Sequence, residues 1–185
     1  MERTIAVVDY RKGNLKSVER GLAAAGGRVL VTDDAAAIAH ADAVVLPGVG
    51  AFADAAATME ELGQMEAVRA RIAAGVPFLG ICLGLHLMFE EGVEGAPEED
   101  DETSTHNAKG LAILPGVVAK IPSRDEKGLP YKVPHVGWTT VQFADVQPGS
   151  GAVPTKRVSL KGLASRCGWR FRRLLRGRLR RLPRT

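Results

Sequence analysis

The chain has 185 residues, 45% of them apolar and 25% charged, a composition that excludes collagenous and globally disordered proteins. A domain of this size buries roughly 70% of its unfolded surface, so a small disulfide-stapled scaffold is excluded as well. The two cysteines, Cys82 and Cys167, lack C-x-x-C spacing and indicate neither a disulfide framework nor a zinc site. No signal peptide and no bilayer-spanning run of ~20 apolar residues is visible, so we expect a cytoplasmic protein without membrane contact.

The net charge of +4 conceals a sharp division along the chain. Residues 1–145 hold all 21 acidic residues and 13 of the 25 basic ones, whereas residues 146–185 hold 12 basic residues and no acidic one. Such an asymmetry needs its own explanation. We therefore divide the chain into a folded domain at 1–145 and a basic, arginine-rich tail at 146–185.

Short β-branched runs alternate with amphipathic segments in the folded domain. Strands are predicted at 4–9, 28–31, 43–46, 76–81, 116–121 and 136–143. Helices are predicted at 15–25, 35–41, within 52–74 and at 85–89. These repeated units predict an α/β fold with a doubly wound, mostly parallel sheet. The acidic segment Glu90–Glu102 is interpreted as a solvated loop without a metal site, because the EF-hand pattern is absent.

The strongest chemical signal is a strand that runs into a cysteine and then a helix, Gly80-Ile81-Cys82-Leu83-Gly84. As in the G-x-S-x-G elbow, two glycines permit a sharp turn that exposes the nucleophile on a strained backbone. The helix start and its macrodipole favour the thiolate, and the Leu83 amide can bond the oxyanion of a tetrahedral intermediate. The alternative is a buried cysteine that acts as a small hydrophobe.

A second glycine-rich turn follows the third predicted strand, Leu46-Pro47-Gly48-Val49-Gly50-Ala51-Phe52. It loosely fits a dinucleotide fingerprint, but it follows the wrong strand and lacks the acidic residue about 20 positions on. We interpret its backbone amides as the second half of an oxyanion hole. A plain left-handed turn is the alternative.

Five segments carry a family resemblance over residues 4 to about 143. They are Asp9-Tyr10…Gly13-Asn14-Leu15…Ser17-Val18, the turn at 46–52, the elbow at 80–84, Gly110-Leu111…Pro115-Gly116 and Pro134-His135-Val136-Gly137-Trp138. Together they resemble the class I glutamine amidotransferases, and among these the glutaminase subunits of imidazole glycerol phosphate synthase. The cysteine motif alone would indicate only the class.

The resemblance implies a glutaminase that forms a cysteinyl thioester and passes ammonia to a cyclase subunit, a (β/α)8 barrel, in histidine biosynthesis. It implies Cys82 as the nucleophile and a set of oxyanion and substrate-binding residues: Gly48, Val49, Gly50, Leu83, Gly84 and His86. The residues implied at the partner interface are Asn14, His135 and Trp138. No metal, organic cofactor or nucleic acid is expected.

Three departures from the family stand out. Arg11 replaces a glycine after Asp-Tyr, and Leu85-His86 replaces Met-Gln, in which the Gln helps hold the substrate. The family takes its general base and orienting carboxylate from a His-Pro-Glu near its C-terminus. Here no histidine follows His135 and no acid follows Asp145. We therefore expect the chain as written to be inactive.

The tail carries seven arginines between residues 170 and 181, with apolar residues at helical spacing. Taken literally, this is a basic amphipathic helix for nucleic acid or a membrane. We prefer a slipped reading frame after about Phe143, which leaves an out-of-frame or disordered tail and a sheet with an unpaired edge and an uncovered apolar face. The functional alternatives are a non-catalytic binding subunit and a nucleic-acid-binding protein.

Overall fold

Within the residues that the structure describes there are two sheets, and the first is built from parallel strands in the order β2-β1-β3-β4. The computed structural model describes residues 3–124, 126–130 and 169–172. The strands of this sheet are β1 (Thr4–Val8), β2 (Arg28–Thr32), β3 (Ala43–Gly48) and β4 (Phe78–Cys82). The helices are α1 (Leu15–Ala24), α2 (Ala35–His40), α3 (Phe52–Glu61), α4 (Gln64–Ala73) and α5 (Leu83–His86). The predicted α/β fold with a mostly parallel sheet is confirmed.

The second sheet has the strand order β6-β5-β7-β8. Its strands are β5 (Phe89–Gly92), β6 (Ala108–Lys109), β7 (Leu114–Lys120) and β8 (Trp169–Arg172). β5 pairs parallel with β7, and the other two pairings are antiparallel. The predicted strand at 116–121 is confirmed as β7, whereas 136–143 lies outside the described residues.

The helix predicted over 85–89 is wrong in its second half, since α5 ends at His86 and β5 begins at Phe89. The carbonyl oxygens of Leu87 and Phe89 accept hydrogen bonds from the amides of Leu111 and Ala112, at 2.7 and 3.1 Å. Those carbonyls are therefore satisfied by a distant segment and not by a continuing helix.

The arginine-rich tail is described only at Trp169–Arg172, which pairs with Val117–Lys120 of β7. The amphipathic helix suggested by the spacing is wrong for these four residues. Strand pairing with a partner some fifty positions away outweighs the local periodicity there. The rest of 146–185 lies outside the described residues.

The acidic segment is also more ordered than a solvated loop. Glu90 and Glu91 belong to β5, so the loop prediction is wrong at that end. Glu91 forms an ion pair with Lys109, and Lys120 binds Glu99 and Asp100 at 2.9 and 3.2 Å. The ion pairs thus connect the acidic segment to β6 and β7 of the second sheet. Within the described ranges, no group of three or more His, Cys, Asp or Glu side chains is arranged to hold a metal ion.

The main core lies on one face of the first sheet. Ala6 and Val44 are register partners on that face, and both are buried. They belong to one cluster with Ile38 of α2, Met59 of α3 and Val68 of α4. α1 contributes no buried residue. Among the helices described here, none has the length and apolarity needed to cross a membrane.

The final strand of this sheet, within the described residues, is β4. Its Leu79 and Ile81 are 50% and 37% exposed, whereas Val45, the register partner of Leu79, is buried. Among the described residues, no strand pairs with the outer edge of β4, and these two apolar side chains are exposed. That a slipped reading frame leaves the sheet with this edge and face stays a prediction.

Arg11 has a backbone φ of +66°, in the left-handed region that favours glycine. An L side chain costs about 1–2 kcal/mol there, while glycine adds about 0.4–1 kcal/mol of unfolded-state entropy. We expect Arg11→Gly to raise the free energy of unfolding by up to about 1 kcal/mol, measured by urea denaturation. Arg11→Ala keeps the strain and serves as the control; a destabilised glycine variant would contradict the argument.

Candidate active site

Cys82 occupies the turn between β4 and α5. Its backbone φ is +55° and its ψ is −114°, and its side chain is exposed. A non-glycine residue held at positive φ is the strained geometry predicted for a nucleophile elbow. The exposure excludes the alternative of a buried cysteine that only fills the core.

The two glycines of the elbow are required by close packing. A Cβ atom on Gly84 would overlap the carbonyl oxygen of Leu46, which lies in β3. A Cβ atom on Gly80 would lie 2.7 Å from the carbonyl oxygen of Gly84. Gly84 therefore packs directly against β3, and Gly80 packs against the backbone of the turn itself. Neither position has room for a methyl group.

The helix that follows Cys82 has only four residues. A macrodipole sums over aligned peptide units, so one turn contributes little of the effect predicted from the sequence. Any stabilisation of the Cys82 thiolate has to come mainly from groups close to the sulfur, such as the first amides of α5.

The glycine-rich turn lies beside the elbow, as predicted. Gly48 is the last residue of β3 and the register partner of Cys82. Val49 is exposed, and Gly50 has a φ of +101°. The carboxyl ends of these strands meet next to the point where the strand order reverses, where open α/β sheets bind ligands. That the amides of this turn bind an oxyanion stays a prediction.

A lysine that the sequence reasoning missed borders the turn. A Cβ atom on Gly50 would lie 3.8 Å from the Cδ atom of Lys12. The ammonium group of Lys12 forms an ion pair with Asp54 of α3 at 3.0 Å. Lys12 lies in the loop after β1, at the edge of the sheet where the other loops meet. That position in the sequence could have identified it as a residue near the site.

His86 lies in the interior. Its side chain is 3% exposed, and burial lowers its pKa to about 4, so the ring is neutral at physiological pH. Its role as a contact for the substrate stays a prediction, and the burial of the ring does not favour it.

The three residues expected at a partner interface divide into two groups. Asn14 is exposed and caps α1, where its side chain accepts a hydrogen bond from the Ser17 amide at 3.4 Å. Capping is a structural reason for an asparagine at that position. His135 and Trp138 lie outside the described residues, so all three interface roles stay predictions.

Tyr10 was not predicted as a site residue, although it is part of the Asp-Tyr motif. It follows β1 and is fully buried, and its hydroxyl oxygen occupies the space in which a Cβ atom on Gly48 would lie. Burial raises the pKa of Tyr10 above its ordinary value, and the neighbouring Cys82 raises it further. The sequence therefore identified Tyr10 as part of a motif, but it did not show that the side chain packs against the elbow.

Comparison with known protein families shows which family has this fold and this cysteine turn. The profile of the family described as "Glutamine amidotransferase class-I" matches residues 6–108, more than half of the chain. The chain belongs to the class-I glutamine amidotransferases. A solved glutamine amidotransferase structure matches with a TM-score of 0.50 and 18% identity, over 63% of this chain and 56% of that chain. That likeness supports the fold.

Curated relatives of this amidotransferase are named imidazole glycerol phosphate synthase subunit HisH. The protein of Moorella thermoacetica is 45% identical over 148 residues, 80% of this chain and 62% of the relative. That of Synechocystis sp. is 48% identical over 75% of this chain and 59% of the relative. That of Geobacter metallireducens is 39% identical over 80% of this chain and 69% of the relative. These matches confirm the resemblance to HisH subunits, although the chain spans only about three fifths of the first two relatives.

Proposed function

We propose that this amidotransferase is the glutaminase subunit of imidazole glycerol phosphate synthase. It hydrolyses glutamine and supplies ammonia to a cyclase subunit, a (β/α)8 barrel with which it forms a heterodimer in histidine biosynthesis. The observation that carries the proposal is the exposed Cys82 at positive φ beside the Gly48–Gly50 turn. The HisH names of its relatives support the choice of pathway.

The proposed chemistry begins with attack of the Cys82 sulfur on the side-chain amide carbon of glutamine. A sulfur–carbon bond forms, and the carbonyl electron pair moves onto oxygen, where amides of Leu83 and of the Gly48–Gly50 turn donate hydrogen bonds. Collapse breaks the carbon–nitrogen bond, and the nitrogen takes a proton and leaves as ammonia. Water then attacks the thioester and releases glutamate and the thiol.

Both steps need a group that moves protons, and general acid–base catalysis contributes about 10²–10⁴-fold in rate. His40 contacts the Ala36 carbonyl of its own helix, and His106 pairs with Glu98. His86 is a weak base because its pKa is lowered to about 4. The His106–Glu98 pair belongs to the acidic segment between β5 and β6. His135, the one remaining histidine of the sequence and the only candidate stand-in for the base, lies outside the described residues. The sequence places no histidine after His135 and no acidic residue after Asp145 that could match the family's His-Pro-Glu. We therefore propose that turnover of this chain is slow.

Glutamate release in the presence and absence of the cyclase subunit tests the proposal. We expect any residual hydrolysis to be abolished in Cys82→Ala, because the thioester cannot form. Cys167→Ala removes the other thiol of the chain and is the matched control, in which the residual rate is retained. A glutamine analogue with an electrophilic diazoketone should label Cys82, detected by peptide mass spectrometry, even where turnover is undetectable.

Two outcomes would contradict the proposal. Hydrolysis that survives Cys82→Ala would remove this residue from the mechanism. Tight binding to the cyclase subunit, with neither glutamate release nor labelling of Cys82, would instead support the non-catalytic binding subunit.

A further inference from the structure

The Gly48–Gly50 turn is held by the sheet at one end and lies open at the other. Gly48 pairs with Cys82 inside the first sheet, and its surroundings leave no space for a Cβ atom. Gly50 has a φ of +101°, and α3 begins two residues later without a side-chain cap at its first turn. The geometry of the turn at Gly50 therefore depends on what lies beside it.

The side chain of Lys12 occupies the open side of this turn. Its Cδ atom lies 3.8 Å from the place of a Cβ atom on Gly50. Apart from Gly50 and its two chain neighbours, no other heavy atom of the described residues lies within 4 Å of that place. The ammonium group reaches the carboxylate of Asp54, in the first turn of α3, at 3.0 Å. The aliphatic stem of Lys12 thus lies against the turn, while its charged end is bound to the helix that follows.

The loop that carries Lys12 is itself constrained on both sides. The amide of Arg11 donates to the Asp9 carboxylate at 2.7 Å. Gly13 has a φ of +125°, and a Cβ atom on it would lie 3.8 Å from the Cα atom of Gly48. The backbone of Lys12 therefore has a defined position beside β3, and its side chain starts from a fixed point.

We propose that Lys12 is a positioning residue for the oxyanion-binding turn, held across Gly50 by its ion pair with Asp54. The proposal rests on the proposed chemistry of Cys82, in which amides of this turn stabilise a tetrahedral intermediate. Oxyanion donors are effective when they are fixed in place before the charge develops, and a misplacement of about 1 Å can cost about 100-fold in rate. A side chain that spans the turn limits such displacements.

The alternative is an ordinary surface ion pair. Such pairs add little to stability, and the exposed fractions of the Lys12 and Asp54 side chains are 35% and 65%. Variants that break the pair should therefore fold, and a pair without a role in the reaction would leave the reaction unchanged when it is broken. The Lys109–Glu91 pair is of this kind, because it joins two strands of the second sheet.

The test uses the para-nitrophenyl ester of the side-chain carboxyl group of glutamate. The Cys82 sulfur forms a bond to the carbonyl carbon, the thiol proton passes to the solvent, and nitrophenolate leaves with the electron pair of the broken carbon–oxygen bond. The step forms the same oxyanion as glutamine does, but it does not depend on the general acid that releases ammonia. A burst of nitrophenolate absorbance that is absent in Cys82→Ala measures acylation of this residue.

In Lys12→Met we expect the burst at saturating ester to be about tenfold slower, at a nearly unchanged half-saturating ester concentration. Methionine keeps an unbranched stem beside Gly50 but has no charge for Asp54. Asp54→Asn should show the same loss, and the double variant no greater one, because both substitutions break one interaction. Lys12→Arg should keep the fast burst, since a guanidinium group also pairs with a carboxylate. Lys109→Met is the matched control, with the burst of the parent.

Two further measurements separate the turn from the thiol. Salt screens an exposed ion pair, with a Debye length of about 3 Å at 1 M, so the burst of the parent should slow toward that of Lys12→Met as salt is added. The burst of Lys12→Met should depend little on salt. Alkylation of Cys82 by iodoacetamide forms no oxyanion and should proceed at the same rate in the parent and in Lys12→Met.

The outcomes distinguish this role from the proposed function. If the parent shows the burst and Lys12→Met and Asp54→Asn are equally fast, the role of Lys12 is overturned while Cys82 remains the nucleophile. An equal loss of burst and of alkylation also overturns it, because the effect would then lie on the thiol. A parent without any burst overturns the proposed glutaminase function and, with it, this role of Lys12.

Discussion

Replacement of Gly84 by alanine is expected to lower the free energy of unfolding by about 3 kcal/mol or more. The added methyl group would overlap the carbonyl oxygen of Leu46, a fully buried residue in β3. Overpacking against a flexible side chain is relieved by a rotamer change, whereas a strand carbonyl moves only with its sheet. Urea denaturation followed by circular dichroism measures the loss.

Gly21→Ala provides the matched control for that substitution. Gly21 lies within α1, and a Cβ atom there would meet nothing within 4 Å. Alanine is favoured over glycine in a helix by about 0.8–1 kcal/mol, so this variant should be as stable as the parent or more so. Gly80→Ala should fall between the two, since its methyl group would lie 2.7 Å from the Gly84 carbonyl oxygen. If Gly84→Ala were as stable as Gly21→Ala, the close contact between the elbow and β3 would be refuted.

The parallel sheet and the elbow were predictable because both leave a local mark in the sequence. A strand buried on both faces needs a short β-branched run, and a turn that approaches another backbone needs glycine at fixed positions. Gly80 and Gly84 satisfy that steric requirement on either side of Cys82. Five consecutive residues were therefore enough to predict the strained turn at Cys82.

The second sheet could not be predicted in the same way, because its strands depend on distant partners. Glu90 and Glu91 look like the start of a solvated loop, yet the Gly116 amide donates to the Glu90 carboxylate and Lys109 pairs with Glu91. Tyr10 illustrates the same limit at the site. Tyr10 belongs to a sequence motif, but the motif does not show where its side chain lies. That the hydroxyl lies beside Gly48, with no hydrogen-bond partner among the described residues, follows only from the packing of β1, β3 and α5.

The buried ring of His86 is expected to make the protein less stable toward acid. Its pKa is about 4 in the folded state, against an ordinary value of 6.5. Above pH 6.5 the ring is neutral in both states, so it adds no pH dependence. As the pH falls from 6.5 toward 4, the unfolded chain takes up a proton that the folded chain does not, and stability is lost. These values correspond to a loss of about 2 kcal/mol between pH 7 and pH 5.

Urea denaturation at pH 7 and pH 5 should therefore show a smaller loss in His86→Gln than in the parent, by about 2 kcal/mol. Carboxylates whose pKa is lowered by hydrogen bonds, such as Glu98 and Glu99, also destabilise the protein toward acid, but equally in both proteins. His40→Gln, which removes an exposed histidine from α2, is the control and should retain the parent's dependence. An equal loss in the parent and in His86→Gln would mean that water reaches the imidazole in the folded state. The ring would then be available to glutamine, as the resemblance to the amidotransferases implies, and its burial beside the elbow would be refuted.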